Sequence, residues 1–370
     1  VFPCGIHFCQ YHLIWGLQPA KFDFLFSWVY IVDKNKYFGR NLSLTNSQFV
    51  KLDLKLYRGY LNDQELIVFG HVFKSWAPDK FRMDRGGIRH AFSIIHMFNI
   101  SPISNIRVRL EFKGTVVETK TLHDGYFRFN IPFNEELESG WHEYTITCKI
   151  NDFGIIETGE VLKPFESKFA IISDIDDTIL VSRSNNFFKK MYIILLRNIN
   201  KRKVFDDVVP HYMALSIFGQ RNEKAFNSFF YVSSSEWNLY SFINDFAQIH
   251  NLPKAVIKLK KIKTGIIDLL FSGRGNHDHK FEKIKDIISF YPNLQYVLLG
   301  DDSQRDPDIY ERICKIFPLN VTAVYIRHTS KANKQRTQKI LNNLEDLGIE
   351  TCYFKHSEKA IMHSKKIGII

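Results

Sequence analysis

The pattern of hydrophobic residues changes its period close to Pro164, and this change constrains the fold more than any other feature of the sequence. Before that point apolar and polar residues alternate, as in the segment LDLKL at 52–56, which is typical of half-buried strands. After it, short uninterrupted apolar runs such as Phe169–Ile172 are separated by segments of helical length. Such runs indicate parallel strands buried on both faces. The sequence therefore predicts two different architectures in one chain.

A chain of 370 residues exceeds what one hydrophobic core usually organises, so separate domains are expected. The alternation recurs at 106–112, 127–131 and 144–150, with turn signals at Asp124-Gly125 and Ser139-Gly140. We predict a poorly defined N-terminal segment at 1–45 and an all-β sandwich at 46–164. An α/β domain with a Rossmann-like parallel sheet is expected at 165–370, with a small helical insertion at about 183–225.

Composition narrows the class of protein. The formal charge of +11 and the pI near 9.2 suit an anionic partner. Nucleic acid is not favoured, because the sequence lacks a basic stripe interleaved with aromatic residues. Five scattered cysteines without a CxxC motif indicate a reducing compartment rather than a disulfide framework. No apolar run is long enough to span a membrane. We expect a cytoplasmic protein, at most peripheral to a membrane.

The first parallel strand leads directly into the acidic segment Ser173-Asp174-Ile175-Asp176-Asp177-Thr178. Ligands of open parallel sheets bind at the carboxyl ends of strands, where this segment is expected to emerge. Asp174 and Asp176 are two residues apart and point to the same side of an extended backbone. Carboxylates this close repel one another unless a cation lies among them, and oxygen ligands favour Mg²⁺. The alternative is an acidic helix cap or a simple ion site.

Three further groups of polar residues follow predicted strands or open a helix. The run Phe229–Val232 leads into three serines, a helical segment begins at His277–Lys280, and Tyr296–Leu299 leads into a second acidic segment. Each has an ordinary explanation, since serines cap helices and a lone lysine is usually solvated. Taken together they predict one site with these residues: Asp174, Asp176, Thr178, Ser233, Ser234, Lys280, Asp301 and Asp306.

The chemistry expected from this site is phosphoryl transfer. Asp174 is the predicted nucleophile, which would form an aspartyl-phosphate, and Asp176 is the predicted acid and base. Mg²⁺ would be held by four carboxylates, those of Asp174, Asp176, Asp301 and Asp306. Thr178, Ser233, Ser234 and Lys280 are the candidates for binding the phosphate.

Longer strings make the prediction more specific. The segments FYVSSSEWNLYSFINDF at 230–246, HKFEKIKDIISFYPNLQYVLLGDDSQRDPDIY at 279–310 and VYIRH at 324–328 resemble the catalytic domain of the actin-patch-associated phosphatidate phosphatases, which belong to the haloacid-dehalogenase superfamily. The resemblance covers about 165–330. The preceding segments LHDGYFRFNIPF and SGWHEYTI resemble the accessory domain of bacterial members.

The resemblance implies Mg²⁺-dependent conversion of phosphatidate at a membrane surface to diacylglycerol and phosphate. It carries the nucleophile to Asp174, the acid and base to Asp176, and the phosphate-holding serine to Ser233. It also implies Lys280 as the site lysine and Asp301 and Asp306 as metal carboxylates. The sequence departs from the family at Glu236, at Asp302-Ser303 and at 258–263, which puts substrate preference in doubt.

Two alternatives to phosphatidate hydrolysis stay open. One is the same mechanism on a soluble phosphomonoester, and the other is a non-catalytic lipid-binding adaptor. The segment FFKKMYIILLRNINKRK at 187–203 mixes apolar and basic residues, so it suits either an anionic membrane interface or a cap helix packed on the domain.

Overall fold

The structure is a computed structural model that describes residues 52–74, 100–150, 153–175, 208–218, 226–261 and 278–370. All of these residues lie in one compact unit, Val50–Ile370. They form two β-sheets and six α-helices. The predicted insertion at about 183–225 is described only in part, and the predicted domain boundaries stay predictions.

The first sheet contains seven strands, in the spatial order β4-β3-β6-β7-β1-β2-β5. β1 pairs with β7 in parallel and the other neighbours are antiparallel. The strands are β1 (Leu52–Leu61), β2 (Glu65–Lys74), β3 (Arg107–Phe112), β4 (Thr115–Lys120), β5 (Tyr126–Pro132), β6 (Gly140–Ile150) and β7 (Phe153–Lys163).

This sheet is barrel-like, and the predicted β-sandwich is not confirmed. The seven strands are joined in one continuous sheet, and its two outermost strands approach each other. Just beyond β4, the backbone N–H of Leu122 donates to the carbonyl of Tyr126 in β5, with N and O 2.7 Å apart. Alternation of residue type specifies which face of each strand is buried, but it does not specify how strands are divided between sheets.

Strand β2 lacks the alternation seen in its neighbours because both of its faces are buried. Its interior residues 66–73 are all buried. Val68 packs into the core of the first sheet, whereas Phe69 on the other face packs into the core around the second sheet. The first sheet is therefore covered on its outer side by the α/β part of the chain.

The second sheet has six strands, all parallel, in the order β10-β9-β8-β11-β12-β13. Helices separate most of these strands along the chain, as the apolar runs predicted. The strands are β8 (Phe169–Ser173), β9 (Ser228–Glu236), β10 (Ala255–Lys260), β11 (Gln295–Asp301), β12 (Val321–Arg327) and β13 (Glu350–Phe354). The mixed α/β class is confirmed, while the more specific haloacid-dehalogenase-like designation stays a prediction.

The helices are α1 (Val208–Ile217), α2 (Tyr240–Ile249), α3 (Asp278–Phe290), α4 (Asp306–Ile316), α5 (Lys334–Asp346) and α6 (Ser357–Lys366). α3, α4 and α5 pack side by side, and α1 contacts α6. None of the helices in the described residues is long and apolar enough to cross a bilayer. The cysteines of these residues, Cys148, Cys314 and Cys352, are buried and free.

Aromatic residues join the two sheets. The ring of Tyr57 in β1 stacks on Trp237 with 4.1 Å between ring centroids. The hydroxyl of Tyr291 donates to the carbonyl of Leu61 over 3.0 Å. Lys258 in β10 donates to the hydroxyl of Tyr60, at 3.1 Å. Trp237 directly follows the strand that carries the three serines, so the first sheet contacts the segment next to the predicted site.

Two buried histidines are expected to make the folded chain less stable at acidic pH. Burial lowers the pKa of His71 to about 4, and its ring Nδ1 lies 2.9 Å from the hydroxyl of Tyr57. Burial also lowers the pKa of His211. The unfolded chain binds protons below about pH 6.5 while the folded chain does not, so stability is lost as the pH falls from about 6.5 towards 4.

For His71 alone we expect the free energy of unfolding to fall by about 2 kcal/mol between pH 7 and pH 5. Urea unfolding at pH 7, 6 and 5 measures this change. His71→Gln should reduce the pH dependence over that range, whatever its effect on absolute stability. A variant with an unchanged pH dependence would contradict the prediction.

Candidate active site at the carboxyl edge of the parallel sheet

Three carboxylates meet where the central strands of the second sheet end. β8 and β11 are neighbours, and the backbone N–H of Asp174 donates to the carbonyl of Leu299 over 2.8 Å. Asp174 directly follows β8, Asp301 is the last residue of β11, and Asp306 is the first residue of α4. One carboxylate oxygen from each lies within 4.8 Å of the others, and all three side chains are at most 1% exposed. The structure thus brings together three of the four predicted metal carboxylates.

Lys280 reaches this cluster from the first turn of α3. Its Nζ lies 2.8 Å from Oδ1 of Asp174 and also donates to Oδ1 of Asp306. Burial disfavours the charged ammonium, but the neighbouring charges of Asp174 and Asp306 outweigh it and raise the pKa of Lys280. The lysine is therefore charged at neutral pH and lies between two of the carboxylates.

Among the residues that the structure describes, this cluster contains more carboxyl groups than ammonium groups. The described cluster consists of the three carboxyl groups and the ammonium of Lys280. Burial raises the pKa of the Asp306 carboxyl. The charge of Lys280 opposes that rise, whereas the charge of Asp174 adds to it. All the candidate ligand atoms of the cluster are carboxylate oxygens. Hard divalent cations such as Mg²⁺ prefer such oxygens, so the residues fit the predicted ion.

Gly300 allows Asp306 to come close to the end of β11. A Cβ at Gly300 would lie 2.7 Å from Oδ2 of Asp306 and 2.8 Å from Cε2 of Tyr310. Both distances are shorter than real Cβ contacts, so a side chain here forces the neighbouring residues apart. The backbone N–H of Asp301 donates to the same Oδ2 over 3.3 Å. Glycine is thus required by the packing around Asp306.

Gly300→Ala is expected to lower the free energy of unfolding by about 1–3 kcal/mol and to reduce any activity of the site. The physical reason is overpacking that displaces Asp306. Gly154→Ala serves as the control, because its Cβ would meet the nearest atom at 3.4 Å, an ordinary contact. Urea unfolding and activity are compared for the two variants. Equal effects would contradict the proposed role of Gly300.

The predicted phosphate-binding serines lie at the end of β9, which pairs with β8. The strand continues through Ser233, Ser234 and Ser235 to Glu236, beyond its predicted end at Val232. The hydroxyl of Ser233 accepts from the backbone N–H of Ser235 over 2.8 Å and donates to its hydroxyl over 2.7 Å. The serines are thus at the same edge of the sheet as the carboxylates.

Two predicted site residues, Asp176 and Thr178, lie outside the described residues, as does the mixed apolar and basic segment at 187–203. The acid and base role of Asp176 and the phosphate contact of Thr178 stay predictions. The roles assigned to the other site residues rest on their placement and on the resemblance.

Asp302 is a buried residue of this region to which the sequence analysis gave no role. Its Oδ1 accepts hydrogen bonds from the backbone N–H groups of Thr329 and Ser330, and its Oδ2 accepts from the hydroxyl of Tyr353. Nδ1 of His328 lies 2.8 Å from the same Oδ2. Burial acts to raise the pKa of Asp302, but the bonds from Tyr353, His328 and the backbone lower it overall.

This network places the loop after β12 against Asp301, one of the candidate metal carboxylates. Oγ1 of Thr329 lies 3.4 Å from Oδ1 of Asp301. The departure from the family at Asp302 was the feature of the sequence that could have indicated this network. Its partners could not be predicted, because His328 and Tyr353 are 26 and 51 residues away in the chain.

Comparison with known proteins shows which family this part of the chain resembles. Residues 169–328, which hold the described site residues, match a family of phosphatase catalytic domains described as "Phosphatidate phosphatase APP1, catalytic domain". The resemblance predicted from the motifs is confirmed. One relative is phosphatidate phosphatase APP1 of Saccharomyces cerevisiae, which is 24% identical over 180 residues. The match covers 48% of this chain and 29% of the yeast protein, so the chain spans under a third of that relative.

Solved structures give only remote similarity. A carbohydrate acetylesterase from Xanthomonas citri aligns at 9% identity with a TM-score of 0.32, covering 86% of this chain and 75% of the other. A β-glucuronidase from Parabacteroides merdae aligns at 7% identity with a TM-score of 0.25, covering 82% and 40%. Similarity at this level supports no statement about fold or function.

Proposed function

We propose that this chain is a Mg²⁺-dependent phosphatidate phosphatase that releases phosphate and diacylglycerol from phosphatidate through an aspartyl-phosphate. The observation that carries the proposal is the buried cluster of Asp174, Asp301, Asp306 and Lys280, formed within the stretch that matches the catalytic-domain family. A cytoplasmic location, with peripheral contact to a membrane, is part of the proposal.

The residues that would hold Mg²⁺ are Asp174, Asp301 and Asp306, with Asp176 as the fourth carboxylate predicted from the sequence. When bound, the ion offsets the negative charges of the carboxylates and of the phosphate that must approach them. Asp301 is held by a backbone donor from Ser303, and Asp306 is held by Lys280 and the N–H of Asp301. These contacts orient the ligand oxygens.

Asp174 is the proposed nucleophile. A carboxylate oxygen of Asp174 attacks the phosphorus, the bond from phosphorus to the glycerol oxygen breaks, and Asp176 gives that oxygen a proton. Water then attacks the phosphorus of the aspartyl-phosphate and passes a proton to Asp176. Phosphate leaves, and both carboxyl groups return to their starting states. Lys280 places its positive charge 2.8 Å from Oδ1 of Asp174 and orients that carboxylate.

Binding of the phosphate is assigned to Ser233, Ser234, Thr178 and Lys280. Ser233 is fully buried, and its hydroxyl is fixed by the contacts to Ser235. On substrate binding, this hydroxyl would turn its proton from Ser235 to a phosphoryl oxygen at the strand end. Lys280 adds a buried positive charge beside Asp174, the proposed nucleophile.

The test is phosphate release from vesicles that contain phosphatidate, compared with a panel of sugar and nucleotide monophosphates, each with Mg²⁺ and with EDTA. We expect Mg²⁺-dependent release from phosphatidate to exceed release from the soluble esters by at least about tenfold. A preference for soluble esters would favour the soluble-phosphomonoester alternative. Vesicle binding without release from any ester would favour the adaptor.

A further inference from the structure

We propose that a groove along β13 binds the headgroups of anionic lipids and so docks the candidate active edge of the sheet on an anionic membrane. Nothing in the family resemblance assigns this groove a role. The inference deepens the proposed function, because it supplies the surface through which a membrane-bound substrate is approached.

The groove lies at the end of the parallel sheet. β13 is the edge strand, and it contacts α5 and α6. The space between these elements has a volume of about 590 Å³, within the range of ligand sites, and is lined in part by Leu341, Cys352 and Phe354. These three residues are buried apolar groups that form its floor.

The mouth of the groove is basic. Lys334, Lys355 and Lys359 line it and are all exposed, and His356 lies among them. The carboxylate of the groove is that of Glu345, in the last turn of α5, at the opposite end from Lys334. The Nζ of Lys359 donates to the carbonyl of Tyr353 over 2.8 Å, which fixes one of the charges in place. Anionic groups are therefore attracted to one end of the groove.

The basic end lies at the same edge of the sheet as the carboxylate cluster. Lys355 directly follows β13, as Asp174 follows β8, and parallel strands end at a common edge. His328 lines the groove and lies 2.8 Å from Asp302, the neighbour of the candidate ligand Asp301. One hydrogen-bonded residue thus separates the groove from the site.

This placement favours a lipid surface as the partner. A phosphate carried by a membrane lipid reaches the cluster only if the carboxyl edge of the sheet faces the bilayer. Groups that flank the site at that edge then lie in the interface, where lysines are attracted to an anionic surface. An apolar floor below a basic mouth also matches a lipid, whose charged headgroup adjoins apolar chains.

The experiment compares two triple variants of the full chain with the same change in charge. Lys334→Glu/Lys355→Glu/Lys359→Glu reverses the mouth of the groove. Lys315→Glu/Lys365→Glu/Lys366→Glu reverses three exposed lysines in the last turns of α4 and α6, away from that mouth. Binding is measured by flotation with phosphatidylcholine vesicles containing phosphatidylserine and no phosphatidate.

We expect the wild type and the control triple to bind these vesicles, and the groove triple to bind at least about tenfold more weakly. The double variant Lys334→Gln/Lys355→Gln removes charge without reversing it, so its loss of vesicle binding should be smaller. It replaces the groove triple in the comparison if that variant does not fold. Equal binding by both triples, absence of binding by the wild type, or preference for an acidic polypeptide over the vesicles would overturn the inference.

Hydrolysis by the wild type separates this inference from the proposed function. A wild type that binds vesicles through the groove but releases no phosphate from phosphatidate would contradict the phosphatase and support the docking surface. A wild type that hydrolyses phosphatidate, with the groove triple bound as tightly as the control, would overturn the docking surface alone.

Discussion

Asp174→Asn is expected to reduce phosphate release by about three orders of magnitude or more, because the amide oxygen is a far weaker nucleophile than the carboxylate. The substitution preserves the size of the side chain. It also preserves the backbone bond to Leu299, so the variant should fold. Initial rates of Mg²⁺-dependent phosphate release, with the best substrate of the panel, measure the effect.

Asp308→Asn is the matched control. Asp308 lies in the first turn of α4 close to Asp306, but it pairs with Arg336 at the surface. We expect its rate to stay within about twofold of the wild type, since surface substitutions have small effects. An Asp174→Asn rate within tenfold of the wild type would place the nucleophile elsewhere. Retained biological function in a variant without hydrolysis would support the adaptor alternative.

Lys280→Met is expected to lower the free energy of unfolding in EDTA by about 3–5 kcal/mol, because it removes the buried positive charge that contacts the carboxylates of Asp174 and Asp306. Mg²⁺ binds the folded cluster and should restore part of this loss. The stabilisation by Mg²⁺ should be larger in the variant than in the wild type, where Lys280 already neutralises part of the charge. Urea unfolding with and without Mg²⁺ measures both quantities.

Lys285→Met, in the same helix, is the control for this experiment. Lys285 is only half-buried and makes no ion pair among the described residues, so we expect a change within about 0.5 kcal/mol. A small loss of stability for Lys280→Met in EDTA would contradict the stabilising role assigned to the charge of Lys280. An absent response to Mg²⁺ in both the variant and the wild type would contradict the metal site.

Strands with one buried face and one solvent-exposed face could be predicted from the sequence, because their apolar and polar residues alternate. β1, β3, β5 and β6 were predicted from such alternation. β2 was missed because it is buried on both faces, and β13 was missed because it is a short edge strand. The number of sheets is a long-range property, which explains why a sandwich was predicted where one barrel-like sheet is found.

Part of the candidate site followed from the sequence for a simple reason. Parallel strands end at one edge, so polar residues after β8 and β11 had to lie near each other. The contact of Asp174 and Asp306 with Lys280 agrees with that reasoning. The network around Asp302 did not follow, because Tyr353 belongs to the missed strand β13.

The stacking of Tyr57 on Trp237 has a consequence for how the chain can be divided. A fragment that starts at residue 165 would uncover Trp237, Tyr240 and Tyr291, which are buried in the whole molecule. Water would then reach the start of the segment that follows the three serines. The barrel-like sheet thus covers an aromatic surface of the α/β part. A fragment without that sheet would expose this surface to solvent and would be prone to aggregate.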